Sequence, residues 1–310
     1  MKAALLMAHG GPETLRYSDA SDPVAGPGEV VVDIHAASVN AADHKVRLGG
    51  YSKLTFPYIL GRDFSGAVSE VGAGVVDLKV GDAVFGVADQ GKESAYAEKI
   101  AIKAAIVAKK PATLSHAAAA AMGLSSLTAL WALEDTAKLQ PGETILIQGG
   151  AGGVAGFAIQ LAKHIGAKVI TTASADNVDY VRSLGADQVI DYNNQDFTQL
   201  VRDCDVVFDT VGGDVQARSY AVLKPGGRLV FIAPGKPGFE PRDDVVTLRP
   251  TVTRDRAHLE RMLALLDAGA VWPPNIVCYP LKDAAKAHRV SESRHLRGKL
   301  VLLTELSGAV

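Results

Sequence analysis

Apolar and polar positions change their period twice along this chain. Up to about residue 110 the apolar residues come in short runs, among them "EVVVDIHAASV" (29–39) and the Val-rich pieces of "FSGAVSEVGAGVVDLKVGDAVFGV" (64–87), broken by Gly-Ala-Gly and Val-Gly-Asp turns. Closely spaced short strands of this kind predict a small barrel or sandwich. At Ser115 the period lengthens. "SHAAAAAMGLSSLTALWALEDTAKL" predicts a helix with Ser115 as N-cap and Pro141-Gly142 as its stop. From Glu143 strands and helices alternate: strand 144–149, helix 153–165, strand 168–173, helix 176–184, then "DQVIDY", "CDVVFDTVGG", "LKPGGRLVFIAPG" and a helix at 254–269. Such alternation predicts βαβ units and a parallel sheet with right-handed crossovers. "DVVFDTV" and "RLVFIA" are apolar nearly throughout, as strands covered on both faces are. The closing helix "LKDAAKAHRVSESR" and strand "GKLVLL" return, by the order of elements, to the first domain. Residues 119–271 are thus expected as a parallel-sheet domain inserted into a domain built from 1–118 and 272–310.

One stretch concentrates backbone freedom. In "ILIQGGAGGVAGFAIQLAKHIGAKVITTAS" (145–174), Gly150-Ala151-Gly152-Gly153-Val154-Ala155 fits G-x-G-x-x-G/A, after a predicted strand and at the opening of a helix. That is the context a dinucleotide-binding turn requires. A pyrophosphate must approach the backbone and meet the free N–H groups of the helix start, where side chains would obstruct it. The plainer alternative is a tight strand-to-helix turn with no ligand. The second strand of the unit ends Thr171-Thr172-Ala173-Ser174, without the carboxylate that would bind a ribose 2′-OH. Small hydroxyls there suit a 2′-phosphate, so NADP(H) is expected rather than NAD(H).

Composition narrows the classes. With 310 residues, 48% hydrophobic, the chain is long enough for two cores. Its 32 basic residues against 34 acidic ones give no electrostatic footprint for nucleic acid. No apolar run approaches the roughly 18 residues of a membrane span. Two distant cysteines, Cys204 and Cys278, suggest a reducing compartment, and a cytoplasmic protein is expected.

Several blocks then carry a resemblance. "SVNAADHKVRLGGY" (38–51), "FPYILGRDFSGAVSEVGAGVVDLKVGDAVFG" (56–86), "GLSSLTALWAL" (123–133), "LQPGETILIQGGAGGVAG" (139–156), "GADQVIDY" (185–192), "DTVGG" (209–213), "LKPGGRLV" (223–230) and "ESRHLRGKLVL" (292–302) stand in one family's order. The chain resembles the medium-chain dehydrogenase/reductase superfamily, and within it the zinc-free, zeta-crystallin-like quinone oxidoreductases. The resemblance implies an α/β fold: a GroES-like, β-barrel-type catalytic domain plus a doubly wound Rossmann domain. Zinc-dependent cousins need Gly-His-Glu where this chain has Gly61-Arg62-Asp63, and cysteines that are missing before Cys204, so no metal is expected. His9, His35, His44 and His116 are scattered in sequence and read as surface or packing residues.

The resemblance also implies site residues. Asn40, Asp43 and Lys45 would lie by the nicotinamide, with Tyr51 on the substrate side as candidate proton donor and Asn40 beside it in the catalytic set. Thr128 would approach the nicotinamide ribose, or else be ordinary core. Gly150, Ala151, Gly152, Gly153 and Val154 would hold the pyrophosphate, and Ser174 and Tyr192 the 2′-phosphate. Val211, Ile232, Ala233 and Pro234 would line the cofactor, with Arg294 reaching it from the tail unless that charged run is only a solvated face. A lysine often found four residues past Ser174 is Val178 here, which weakens discrimination against NADH. The implied activity is NADPH-dependent reduction of a small quinone or enone by a homodimer, with no nucleic-acid or membrane partner. Two alternatives stand beside it: an enoyl-thioester reductase, with Lys45, Arg47 and Lys53 as a modest basic rim for coenzyme A, and a low-turnover NADPH-binding sensor or nucleic-acid-binding protein.

Overall fold

The computed structural model describes residues 1–50, 54–293 and 296–308. By the contacts within the chain it divides into two compact units, Met1–Leu124 with Arg254–Arg261 and Pro273–Val310, and Ser125–Thr253 with Met262–Trp272.

The first unit opens with β1 (Lys2–Leu6), β2 (Leu15–Asp19), β3 (Glu29–Val39), α1 (Ala41–Arg47), β4 (Tyr58–Ile59), β5 (Asp63–Val71), β6 (Ala83–Val87), β7 (Lys99–Lys103) and β8 (Val107–Lys109). β3 is its spine. Eleven residues long, it pairs antiparallel with both β5 and β7. Val30, Val32 and Ile34 alternate along it into a core shared with Leu6, Leu60, Phe64, Tyr96 and Ile100, the period-2 pattern of a strand with one face inward.

α2 (His116–Leu130) follows, capped as expected by Ser115, whose Oγ accepts the Ala118 N–H at 3.1 Å. It runs on through a π-helical turn at Trp131–Thr136 and stops there, short of Pro141. The continuous helix His116–Thr136 is long and apolar enough to cross a membrane, which corrects the sequence expectation that no segment comes near that length. It is apolar all round because 83% of its apolar window is buried inside the protein, as in a core helix.

The second unit is a six-stranded parallel sheet. Its elements are β9 (Thr144–Ile147), α3 (Gly153–Ile165), β10 (Lys168–Ala173), α4 (Val178–Ser183), β11 (Gln188–Asp191), α5 (Phe197–Leu200), β12 (Cys204–Asp209), α6 (Gly213–Ser219), β13 (Leu223–Phe231) and β14 (Val246–Leu248). The strand order β11-β10-β9-β12-β13-β14 means that the chain steps outward from β9, then returns to β12 on its other side. That reversal makes a switch point between β9 and β12. Val206, Val207 and Phe208 on β12 are wholly buried, which explains the apolar run read there. Cys204 lies in this core as a free thiol, and burial pushes it up to about 12.

After α7 (Arg256–Asp267) come β15 (Ile276–Pro280), α8 (Ala284–Glu292) and β16 (Lys299–Leu303). β16 pairs antiparallel with β3, Leu300 opposite Val39 and Leu303 opposite Ala36, and β15 lies parallel outside it. The tail therefore completes a seven-stranded sheet begun nearly 250 residues earlier.

Candidate functional site

The carboxyl edge of the parallel sheet gathers most of the residues singled out in the second unit. At the end of β9 the chain turns at Gly149, whose φ of +74° suits glycine, and enters α3 with Gly152 as N-cap. Glycine has no side chain to cap the helix, so the first-turn amides of α3 lack a helical acceptor and face the end of the sheet. The glycines do different jobs. A Cβ on Gly150 would strike Thr171 Oγ1 on β10, so close strand packing alone accounts for that residue. A Cβ on Gly152 would meet only the Gly149 carbonyl, at 3.5 Å, so the protein leaves the space before it open. That open cradle at an uncapped helix start fits a pyrophosphate, and Ala151, Gly153 and Val154 border it.

The hydroxyls at the end of β10 need a correction. Thr171 Oγ1 donates to the Ile147 carbonyl at 2.7 Å. Thr172 Oγ1 donates to Gln148 Oε1 at 2.7 Å and accepts the Gly149 N–H at 3.0 Å. Both are buried and committed to bracing the glycine turn, so neither is available to a phosphate. Ser174 remains. Its Oγ accepts from Asn177 Nδ2 at 2.9 Å, which leaves its own proton to donate outward. The Tyr192 amide bonds the Ala173 carbonyl, which brings Tyr192, half exposed, to the same corner.

Beyond the switch point Asp209 ends β12. It is fully buried, burial pushes its carboxyl up, and it accepts the N–H groups of Val211 and Gly212 at 3.0 and 3.1 Å. This locks the "DTVGG" turn and leaves the Val211 side chain exposed. Ile232 bonds back to Asp209 and Gly213 to Pro234, so Val211, Ile232, Ala233 and Pro234 assemble at the ends of β12 and β13. Thr128 is buried in α2. Asp209 and Gln148 are site-building residues that the sequence reading misses, and Thr172, expected to face a phosphate, braces the turn instead. The quoted "DTVGG" was the available signal for Asp209.

In the first unit the Asn40 and Asp43 side chains face inward. Asn40 caps α1, donates from Nδ2 to Asp63 Oδ2 at 2.8 Å and accepts from Lys299 Nζ on Oδ1 at 2.6 Å. Asp43 Oδ2 accepts the Asn40 N–H and the Tyr96 hydroxyl, each at 2.8 Å, while its Oδ1 has no partner among the described residues. Burial pushes Asp43 up to about 6 against the pull of Arg62. His288 touches the Tyr96 hydroxyl at 3.3 Å with Nε2 and accepts from Arg47 Nε at 3.3 Å with Nδ1. Arg47 is itself fully buried, bonded to Glu292 and the Gly10 carbonyl. It cannot form part of a basic rim, which corrects that expectation; the coupling of α1 to α8 is its work. Lys45 is half-buried on α1. Tyr51, Lys53 and Arg294 lie outside the described residues. Two of the scattered histidines meet: His35 and His116 stack with ring centroids 4.4 Å apart, and His116 Nδ1 bonds Ser65 Oγ at 2.8 Å.

Comparison with known proteins fits this geometry. Residues 26–112 match the Alcohol dehydrogenase GroES-like domain and residues 184–302 the Zinc-binding dehydrogenase family. The chain is 34% identical over 319 residues to the NADPH-dependent alkenal/one oxidoreductase of Arabidopsis thaliana, covering 97% of this chain and 79% of that protein. Among solved structures it is similar to the quinone oxidoreductase of Coxiella burnetii (TM-score 0.91, 34% identity, 98% and 99% of the two chains). It is similar too to the Escherichia coli quinone oxidoreductase complexed with NADPH (TM-score 0.89, 30% identity, 98% and 100%). The chain belongs to the medium-chain dehydrogenase/reductase superfamily, with a GroES-like domain and a Rossmann domain, and is an oxidoreductase.

The buried titratable groups predict an acid response. Burial, together with the charges of His35 and Lys110, holds His116 down at about 4; burial, with Arg47 and His44, holds His288 at about 3. Unfolded histidine titrates near ~6.5, so between that pH and ~4.5 the unfolded chain binds more protons and stability falls as pH is lowered. Asp43 opposes them, because a raised carboxyl binds its proton more readily in the folded state. Thermal unfolding from pH 7 to 4.5 should give a falling Tm, shallower in His116→Gln and steeper in Asp43→Asn. A Tm that rises on acidification would contradict this assignment.

Proposed function

We propose that this protein is an NADPH-dependent reductase of quinones or α,β-unsaturated carbonyl compounds that works without a metal ion. The observation that carries the reading is the uncapped start of α3, with open space before Gly152 and a serine hydroxyl rather than a carboxylate at the end of β10. NADPH supplies the hydride. The amides of Gly153 and Val154 bind its pyrophosphate, with Ala151 and Gly152 beside them. Ser174, flanked by Tyr192, donates to the 2′-phosphate, and Arg294 adds a cation from the tail. Thr128, Val211, Ile232, Ala233 and Pro234 orient the nicotinamide end.

As the acceptor carbon gains hydride, the acceptor oxygen gains negative charge and needs a proton donor. Tyr51 is that donor on this reading. Asn40 and Asp43, their oxygens and amide turned inward, hold α1 rather than touch the reacting atoms. Donor chemistry supports the metal-free part. Arg62 at the position of the zinc cousins' histidine is a guanidinium paired with Glu93 at 3.0 Å, and the Asp63 carboxylate already faces Asn40 and Lys299. Cations there are a poor setting for Zn²⁺. The thioester alternative loses support with Arg47 buried. The open edge of the sheet at β14, where Val246 is half exposed, supports pairing with a second copy.

Three measurements test this. NADPH oxidation is followed with 1,4-benzoquinone, an alkenal and crotonyl-CoA in parallel; turnover is expected with the first two, and tight NADPH binding with no turnover on any would favour a binding protein. Ser174→Asp should weaken NADPH at least tenfold and leave NADH within about threefold, since a carboxylate repels the 2′-phosphate alone; equal losses would remove Ser174 from the site. Tyr51→Phe should lower kcat at least tenfold with NADPH affinity unchanged, and full turnover in that variant would exclude Tyr51 as the donor.

A further inference from the structure

We propose that Lys299, Asp63 and Asn40 form a closed positioning triad for hydride transfer, in which two buried charges fix the side-chain amide of Asn40 and through it the start of α1. The inference rests on the reductase reading. It starts from three elements that meet at one point: β3 ends at Val39, one residue before Asn40, β5 begins at Asp63 and β16 begins at Lys299. Lys299 Nζ donates to Asn40 Oδ1 at 2.6 Å and to the Val39 carbonyl at 3.0 Å, and lies 3.9 Å from Asp63 Oδ2. Asn40 Nδ2 donates to the same Asp63 Oδ2 at 2.8 Å. The donors and acceptors are those of an ammonium, a carboxylate and an amide in a ring. Asp63 and Lys299 are almost wholly inaccessible, and burial pushes the carboxyl up and the ammonium down against their mutual attraction.

Stability is a poor reason for such a group. Burying two charges costs desolvation that their attraction only partly offsets, and well-packed apolar residues at the same place would often do as well. What the charges add is direction. With the ammonium facing Oδ1 and the carboxylate facing Nδ2, a flipped amide would set donor against donor and acceptor against acceptor, so only one orientation of Asn40 survives. The other carboxylate oxygen, Asp63 Oδ1, accepts the Leu124 N–H in the side of α2 at 2.9 Å. Gly123 permits that approach, since a Cβ there would lie 3.1 Å from Oδ1. The triad thus ties three strand ends and a helix flank to a single side chain.

Asn40 is the N-cap residue of α1, tied to the first turn by its own N–H on Asp43 Oδ2 at 2.8 Å, and α1 is only seven residues long, too short to hold its own position. α1 carries Lys45 and leads directly into the segment containing Tyr51. Lys299 and Asp63 therefore act as positioning residues: they touch neither substrate nor cofactor, and their effect reaches the reaction through α1.

The test compares wild type, Lys299→Met and the charge-neutral pair Asp63→Asn/Lys299→Met. In each, kcat with 1,4-benzoquinone is divided by the number of NADPH-binding sites measured by calorimetry on the same sample, so misfolded protein drops out. Removing the ammonium strands a buried carboxylate. The double substitution relieves that penalty but leaves Asn40 free to flip. The expected result is a loss of at least fivefold in kcat per NADPH site in both variants, with NADPH Kd within threefold of wild type. A loss under fivefold in either variant, or activity that returns with Tm in the pair, would reduce the triad to a structural ion cluster. Wild type inactive in the same assay would instead overturn the reductase reading.

Discussion

The amides that open α3 have no partner to turn to inside their own helix, and glycine at the N-cap offers none. In most helices a serine, threonine or aspartate would close that end. Here the chain does the opposite, and then spends other residues on keeping the bare end in place. Thr172 bonds both the Gly149 amide and Gln148, Gln148 reaches Ser219, and Thr171 holds the Ile147 carbonyl. Asp209 does the same service across the switch point by gathering the amides of the next turn. The carboxyl edge of the sheet is rigid because its polar side chains point back into it, which leaves backbone amides and a few small side chains to meet a ligand.

The first unit solves a different problem with charge. Asn40, Asp63, Lys299, Asp43, Tyr96, His288 and Arg47 form a connected polar group under the seven-stranded sheet, nearly all of it out of solvent. Each member restricts its neighbours. His288 accepts from Arg47 on Nδ1, so its remaining proton is on Nε2, toward Tyr96, whose hydroxyl then donates to Asp43. Neutral His288 and an Asp43 with one oxygen unpartnered among the described residues are the consequence, and both set how the fold responds to acid.

Much of this was legible in the sequence where the signal is local. The helix from Gly153 to Ile165 and the strand from Lys168 to Ala173 fall where the apolar period put them. Ser115 caps α2, and the glycine run opens a helix inside a βαβ unit. These follow from periodicity and capping, which act over a few residues. The π-helical end of α2 and its length did not, because an alanine-rich core helix and a membrane span share one composition.

Sequence by itself determined the two architectures, the place of the nucleotide turn and the absence of a carboxylate beyond it, since each depends on residue type at short spacing. Only the tertiary structure decided which hydroxyl faces outward, that Arg47 is internal, and that Asp63 and Lys299 meet across 236 positions of chain. A side chain's role depends on what lies across from it, and Thr171, Thr172 and Ser174 differ less in chemistry than in the direction the strand gives them. No reading of one segment contains that direction.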